Sequence, residues 1–94
     1  MTREVYIERS CRELAKARGC ILLKLWPAGA AGIPDRILLM PGGRLVFIEF
    51  KAPGKKPGPL QRHWHEVLRG LGFQVEVMDN AQAFRAILQT QSTT

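Results

Sequence analysis

The sequence predicts an α/β fold: a mixed four-stranded sheet flanked by helices, in the order α-β-β-β-α-β-α. Three observations lead there. All six prolines fall between Pro27 and Pro59, so the middle third of the chain is strands and loops, and helices lie outside it. At both ends, apolar residues recur at helical spacing. In the middle, short apolar runs are separated by glycine and proline, the pattern of strands and turns.

The elements follow in order. Thr2 can cap a first helix that runs to about Arg18 and stops at Gly19. Ile7, Cys11, Leu14 and Arg18 share one stripe of it. Cys20 to Trp26 is too short for a helix and reads as a strand, and Pro27 to Gly32 is a small-residue loop. Asp35 to Met40 is a second strand, Pro41-Gly42-Gly43-Arg44 a tight hairpin turn, and Leu45 to Lys51 a third strand. Ala52 to Pro59 cannot be regular structure. Leu60, Trp64, Val67, Leu68 and Leu71 then make the apolar stripe of a second helix, ended by Gly70 and Gly72. Phe73, Val75 and Val77 alternate with Gln74 and Glu76, a strand with one wet face. Asp79 with Gln82 three residues on resembles a capping box, and Phe84, Ile87 and Leu88 form the stripe of the last helix.

Ninety-four residues make a single domain, 1–94, with a modest core that a partner subunit would help to cover. A hydrophobic content of 46% with 23% charged residues excludes a disordered chain. No apolar run can span a bilayer, so no membrane partner is expected. The chain opens on mixed charge with no apolar leader, which points to a cytoplasmic protein. Cys11 and Cys20 form no framework and read as small buried hydrophobes. The net charge of +6 is concentrated between Arg36 and Arg69. That stretch holds seven basic residues (Arg36, Arg44, Lys51, Lys55, Lys56, Arg62, Arg69) against two acids, Glu49 and Glu66. Such a concentration suits a polyanion, most often nucleic acid; a merely basic surface is the plain alternative.

Chemistry collects at one end of the sheet. Asp35 opens the second strand, and Glu49 and Lys51 close the third. A short hairpin makes the two strands antiparallel neighbours, so Asp35 and Glu49 meet at the same end. Residues i and i+2 of a strand share a face, which puts Lys51 beside Glu49 with the Phe50 carbonyl between them. Two close carboxylates require either a proton or a cation. Oxygen ligands favour a hard cation, Mg²⁺ or Mn²⁺, which polarises a phosphoryl oxygen and lowers the pKa of a bound water. Lys51 can hold the water and stabilise charge gained in the transition state. The simpler possibility is a strand-end salt bridge from Glu49 to Lys51, with Asp35 a turn residue.

Gly32-Ile33-Pro34-Asp35-Arg36, then Ile48-Glu49-Phe50-Lys51-Ala52-Pro53-Gly54, then Gln61, resemble the PD-(D/E)XK nuclease superfamily and, more narrowly, its VRR-NUC family. The resemblance covers nearly the whole chain. It implies a restriction-endonuclease-like core and a nuclease that needs a divalent metal. Asp35, Glu49 and the Phe50 carbonyl correspond to the metal ligands and Lys51 to the motif lysine. Gln61 matches a glutamine that opens the second helix and faces the site. A residue of the first helix completes such sites; Glu8 is the better match and Glu4 its competitor. Stand-alone members of the family resemble Holliday-junction resolvases and act as homodimers, so the resemblance implies junction DNA as partner and a two-fold pair of sites.

The remaining candidates are weaker. His63 and His65 face different ways on a helix and read as exposed or DNA-contacting, with Trp64 between them as core. Trp26 packs or stacks on a base. Arg36, Lys55, Lys56 and Arg62 are the candidate contacts to the DNA backbone. Together these features predict a small Mg²⁺- or Mn²⁺-dependent endonuclease that reads DNA shape rather than base sequence. A flap or general nuclease, or a non-catalytic DNA-binding module, is the alternative.

Overall fold

The computed structural model describes residues 3–25 and 32–90. Thr2, Trp26, most of the following loop and the tail beyond residue 90 lie outside the described residues. The element order is the expected one: α1 (Arg3–Ala17), β1 (Ile21–Lys24), β2 (Arg36–Met40), β3 (Arg44–Phe50), α2 (Pro59–Gly70), β4 (Gln74–Met78) and α3 (Ala81–Thr90). The sheet runs β1-β2-β3-β4, with β1, β2 and β3 antiparallel and β4 parallel to β3 across the α2 crossover. Gly42 and Gly43, both at positive φ, close the β2–β3 hairpin, and its register sets Met40 opposite Arg44 and Arg36 opposite Ile48.

One face of the sheet carries the core. Leu22, Leu38, Met40, Val46, Ile48, Phe50 and Met78 pack there against Cys11 and Ala15 of α1 and Phe84, Ile87 and Leu88 of α3. Both cysteines are free and buried, as the sequence suggests. The α1 stripe is in place, with Ile7 and Leu14 packed against the same cluster, although Arg18 lies past the helix and is exposed. Cys20 N–H returns to the Ala15 carbonyl at 2.9 Å and turns the chain at Gly19.

The other face is different. The register places Leu45, Phe47 and Glu49 of β3 beside Val75 and Val77 of β4 on this side. Here α2 packs, and its expected stripe is covered only in part. Leu60 is 51% and Leu71 70% exposed, and Val67 is exposed too, while His65 is only 2% exposed. The less exposed positions are Gln61, Trp64, His65 and Leu68, so the covered face keeps Trp64 and Leu68 of the apolar stripe and takes in Gln61 and His65 beside them. Gly70 lies within the helix, and Gly72, at positive φ, ends it.

Two further expectations change. α3 is capped by Asn80, whose Oδ1 accepts the Ala83 N–H at 2.8 Å, and not by Asp79. In β4, Val75 and Met78 are the buried residues. Phe73 precedes the strand and stacks edge-on against Phe47 at 5.5 Å. Met78 is buried although it lies on the side expected to be wet, because it sits opposite Phe50 over the main core.

Candidate active site

Glu49 is the centre of the site. It is 8% exposed, and among the described residues the buried polar side chains are Glu49 and His65. A carboxylate so placed loses much of its hydration, and burial pushes its pKa up to about 7. The Lys51 ammonium opposes that rise, whereas the charges of Asp35 and Glu4 add to it. Continuing the β2–β3 register by one residue sets Asp35 opposite Glu49, on the same side of the sheet. The Asp35 carbonyl accepts the Leu25 N–H at 2.7 Å, which ties this end of β2 to β1.

The approach to Asp35 is held from the other side by α2. A Cβ at Gly32 would lie 2.7 Å from Leu60 Cγ and 2.9 Å from its backbone carbonyl, and Gly32 has φ +75°. Only glycine meets both demands, so the Gly32-Ile33-Pro34-Asp35 segment lies directly on the start of α2. Pro34 is fully buried beneath it.

Three cationic or donor groups surround Glu49. Lys51 Nζ is 3.9 Å from Oε2. Gln61 Nε2 donates to Oε2 at 3.3 Å, and His65 Nε2 lies 3.9 Å from Oε1. Gln61 has no freedom to turn its amide round. Its Oε1 accepts the Gly58 N–H at 2.9 Å at the start of α2, which leaves only the NH₂ end to face Glu49. The helix cap thus fixes the orientation of a site residue. Burial, together with the charges of Arg69 and Lys51, lowers the His65 pKa, so its imidazole is neutral near pH 7. Among the described residues, His65 Nε2 has no hydrogen-bond partner. A buried unpaired polar atom costs about 1–3 kcal/mol.

A cleft of about 250 Å³ opens in front of these groups, lined by Glu4, Val5, Glu8, Asp35, Arg36, Glu49 and Phe50. It gathers Asp35, Glu49 and Phe50 with Glu4 and Glu8 of the first helix. Glu8 is held by Arg12 through two contacts, at 2.9 and 2.6 Å. Arg36, expected to face DNA, instead pairs with Asp35 at 2.8 Å and is largely covered. Its Nε has no hydrogen-bond partner among the described residues. Arg62 donates to the Pro57 carbonyl at 2.8 Å and so braces the loop that carries Lys55 and Lys56, both exposed. His63 is exposed, as expected, and stacks edge-on against Trp64.

His65 is the residue that sequence reasoning misplaces. The comparison of His63 with His65, at i and i+2, points away from a shared role. The informative spacing is from Gln61 to His65, at i and i+4, which places both on one helical face.

The donors of this cleft suit a hard cation. They are the carboxylates of Glu4, Glu8, Asp35 and Glu49, the last with a pKa that burial has raised, beside the Arg36 guanidinium. Among the described residues no three His, Cys, Asp or Glu side chains converge to hold a metal by themselves. A site of two acids and a carbonyl leaves the remaining positions to water and to phosphate, as Mg²⁺ prefers.

The VRR-NUC domain model matches residues 4–82. The chain belongs to the VRR-NUC nuclease family. It is 40% identical over 80 residues to "Putative nuclease p44" of Acyrthosiphon pisum secondary endosymbiont phage 1, covering 85% of this chain and 86% of that protein. A solved VRR_NUC domain superposes with a TM-score of 0.81 at 27% identity, over 95% of this chain and 97% of the other. The VRR-NUC match spans the hairpin, the cleft acids and α2. Among the described residues, no helix is long and apolar enough to cross a membrane.

Proposed function

We propose that this VRR-NUC protein is a cytoplasmic, metal-dependent and structure-specific endonuclease. It hydrolyses phosphodiester bonds in DNA, takes four-way junctions as its substrate and works as a homodimer. Asp35, Glu49 and the Phe50 carbonyl hold Mg²⁺ or Mn²⁺, and Glu8 completes the site from α1. The cation, when bound, polarises a phosphoryl oxygen and acidifies a coordinated water. Lys51 orients the attacking water and offsets the charge that builds on the phosphoryl oxygens. Gln61 holds the Glu49 carboxylate, and Lys55, Lys56 and Arg62 engage the DNA backbone.

The observation that carries this reading is the buried Glu49. It lies opposite Asp35 beside a shared cleft, with Lys51 Nζ 3.9 Å away. A module that only bound DNA would gain nothing from paired acids among phosphates. The nuclease named among the relatives supports hydrolysis. Ile21 and Leu23 are exposed on the edge strand β1, a surface that a second copy could cover. Two isologous subunits would present two sites to a junction whose paired cuts are themselves related by a two-fold axis.

The test is a panel of labelled duplex, flap, splayed-arm and four-way substrates, each with Mg²⁺, Mn²⁺ or EDTA. Metal-dependent, symmetric paired cutting of the four-way substrate is expected. Cutting confined to flaps would move the protein to the flap-nuclease reading. Cutting undiminished in EDTA would remove the metal from the mechanism.

A further inference from the structure

We infer that His65 is a positioning residue for Glu49: its imidazole donates Nε2–H to Oε1 and, with Gln61 on Oε2, fixes the carboxylate for cation binding. This rests on the metal-dependent reading above and adds to it a residue that lies behind the cation ligands rather than among them.

Four observations support the inference. His65 is 2% exposed, yet among the described residues its Nε2 has no hydrogen-bond partner. The polar group facing that nitrogen is Glu49 Oε1, at 3.9 Å. A lone pair on Nε2 would repel this oxygen, so the tautomer that carries the proton on Nε2 is favoured. Gln61, one turn earlier on the same face of α2, already donates to the other oxygen at 3.3 Å. Finally, α2 leaves Leu60 and Val67 outward while His65 faces inward, so hydrophobic burial alone does not explain the orientation of this helix.

Two donors from one helix, one on each carboxylate oxygen, stop Glu49 from rotating about its last bond. Each oxygen keeps a lone pair for a cation in the cleft shared with Asp35. Hydrogen bonds of this kind are often long in the unliganded state and shorten when the site is loaded. A closure of about 1 Å brings Nε2 into hydrogen-bond range. Donors placed behind metal ligands in this way typically change metal affinity about 10–100-fold when removed.

The experiment uses the full chain and Mn²⁺ as the probe, titrated by calorimetry without DNA. His65→Phe keeps a planar ring and removes the donor; His65→Gln restores an N–H. His65→Phe is expected to weaken Mn²⁺ binding about 10–100-fold. Its thermal melt should be unchanged or raised, and its DNA affinity in EDTA unaltered. His65→Gln should recover most of the Mn²⁺ affinity. A purely structural histidine would instead lower the melting temperature and DNA affinity together and leave Mn²⁺ binding to the folded fraction intact. If the phenylalanine ring prevents a cooperative melt, His65→Leu answers the same question. Wild-type Mn²⁺ affinity in a folded His65→Phe or His65→Leu variant would overturn the inference. Failure of the wild-type protein to bind Mn²⁺ at all would overturn the metal-dependent reading as well, so the two failures are distinguishable.

Discussion

The two faces of the sheet are built by opposite rules. Towards α1 and α3, the apolar stripe of each helix is also its buried face: Cys11, Ala15, Phe84, Ile87 and Leu88 all lie in the core. Towards α2, the buried face covers only Trp64 and Leu68 of the stripe and extends to Gln61 and His65. Leu60 and Leu71 face water there, while Gln61 and His65 face a buried carboxylate. Hydrophobic burial at about 25 cal/mol per Å² favours the first arrangement and is sacrificed in the second. Local rules are kept where only stability is at stake and are broken where a site must be assembled.

The largest effect should come from the second face. Asp35→Asn removes one of the paired acids but keeps the shape of the side chain. Cleavage is expected to fall by about 10³-fold or more, about 4 kcal/mol in barrier. DNA affinity in EDTA should be equal or tighter, because a negative charge near phosphate is gone. Single-turnover cleavage and a binding isotherm check both halves. Undiminished cleavage by this variant would place the catalytic acids elsewhere.

The same contrast explains what could be read from the sequence. The order of elements was legible because proline placement and glycine turns are local signals, and the hairpin at Gly42-Gly43 brings Asp35 opposite Glu49 through register alone. Strand residues near the site follow i, i+2, so Lys51 beside Glu49 was legible as well. The orientation of α2 was not. Amphipathicity assigns a helix to the face that buries most apolar surface, and here tertiary demand for Gln61 and His65 overrides it. The pairing of Arg36 with Asp35 was also hidden, because a basic residue next to an acid in sequence gives no sign of which anion it will face. The cap of α3 moved by one residue, from Asp79 to Asn80, since both side chains can cap and only the backbone path decides between them.

On the first face, Phe84→Ala should cost about 3–5 kcal/mol, since a fully buried ring leaves a cavity that close packing fills only in part. Urea unfolding in EDTA measures it. A cost below about 1 kcal/mol would mean that the core of this face is as loosely specified as the exposed stripe of α2.

A smaller effect, of opposite sign, is expected at Glu49. Its carboxyl titrates near 7 in the fold against 4.5 normally, so the fold favours the protonated form. That contribution is fully present below about pH 4.5 and is lost as pH rises through about 7. Glu49→Gln is neutral at every pH. Without metal, it should match wild type near pH 4.5 and exceed it by on the order of 1–2 kcal/mol above pH 7, after allowance for solvent screening. Melts in EDTA at a series of pH values give the gap directly. A gap that is the same at both ends of the range would show that burial of this charge does not tax the fold.

The smallest effect should come from the outward stripe of α2. Leu71, 70% exposed, follows the last residue of the helix, where its N–H returns to the Val67 and Leu68 carbonyls. Leu71→Lys removes little buried area and places a cation at the negative end of the helix dipole, which is worth about 0.3–1 kcal/mol. Monomer stability should therefore change by no more than about 0.5 kcal/mol in the unfavourable direction. Sedimentation of the same variant sharpens the comparison between the faces. If the dimer forms through β1, where Ile21 and Leu23 are exposed, the Leu71→Lys dimer should persist. If it dissociates instead, the leucines of α2 face a second copy, and their outward orientation reflects an interface as well as the demands of Glu49.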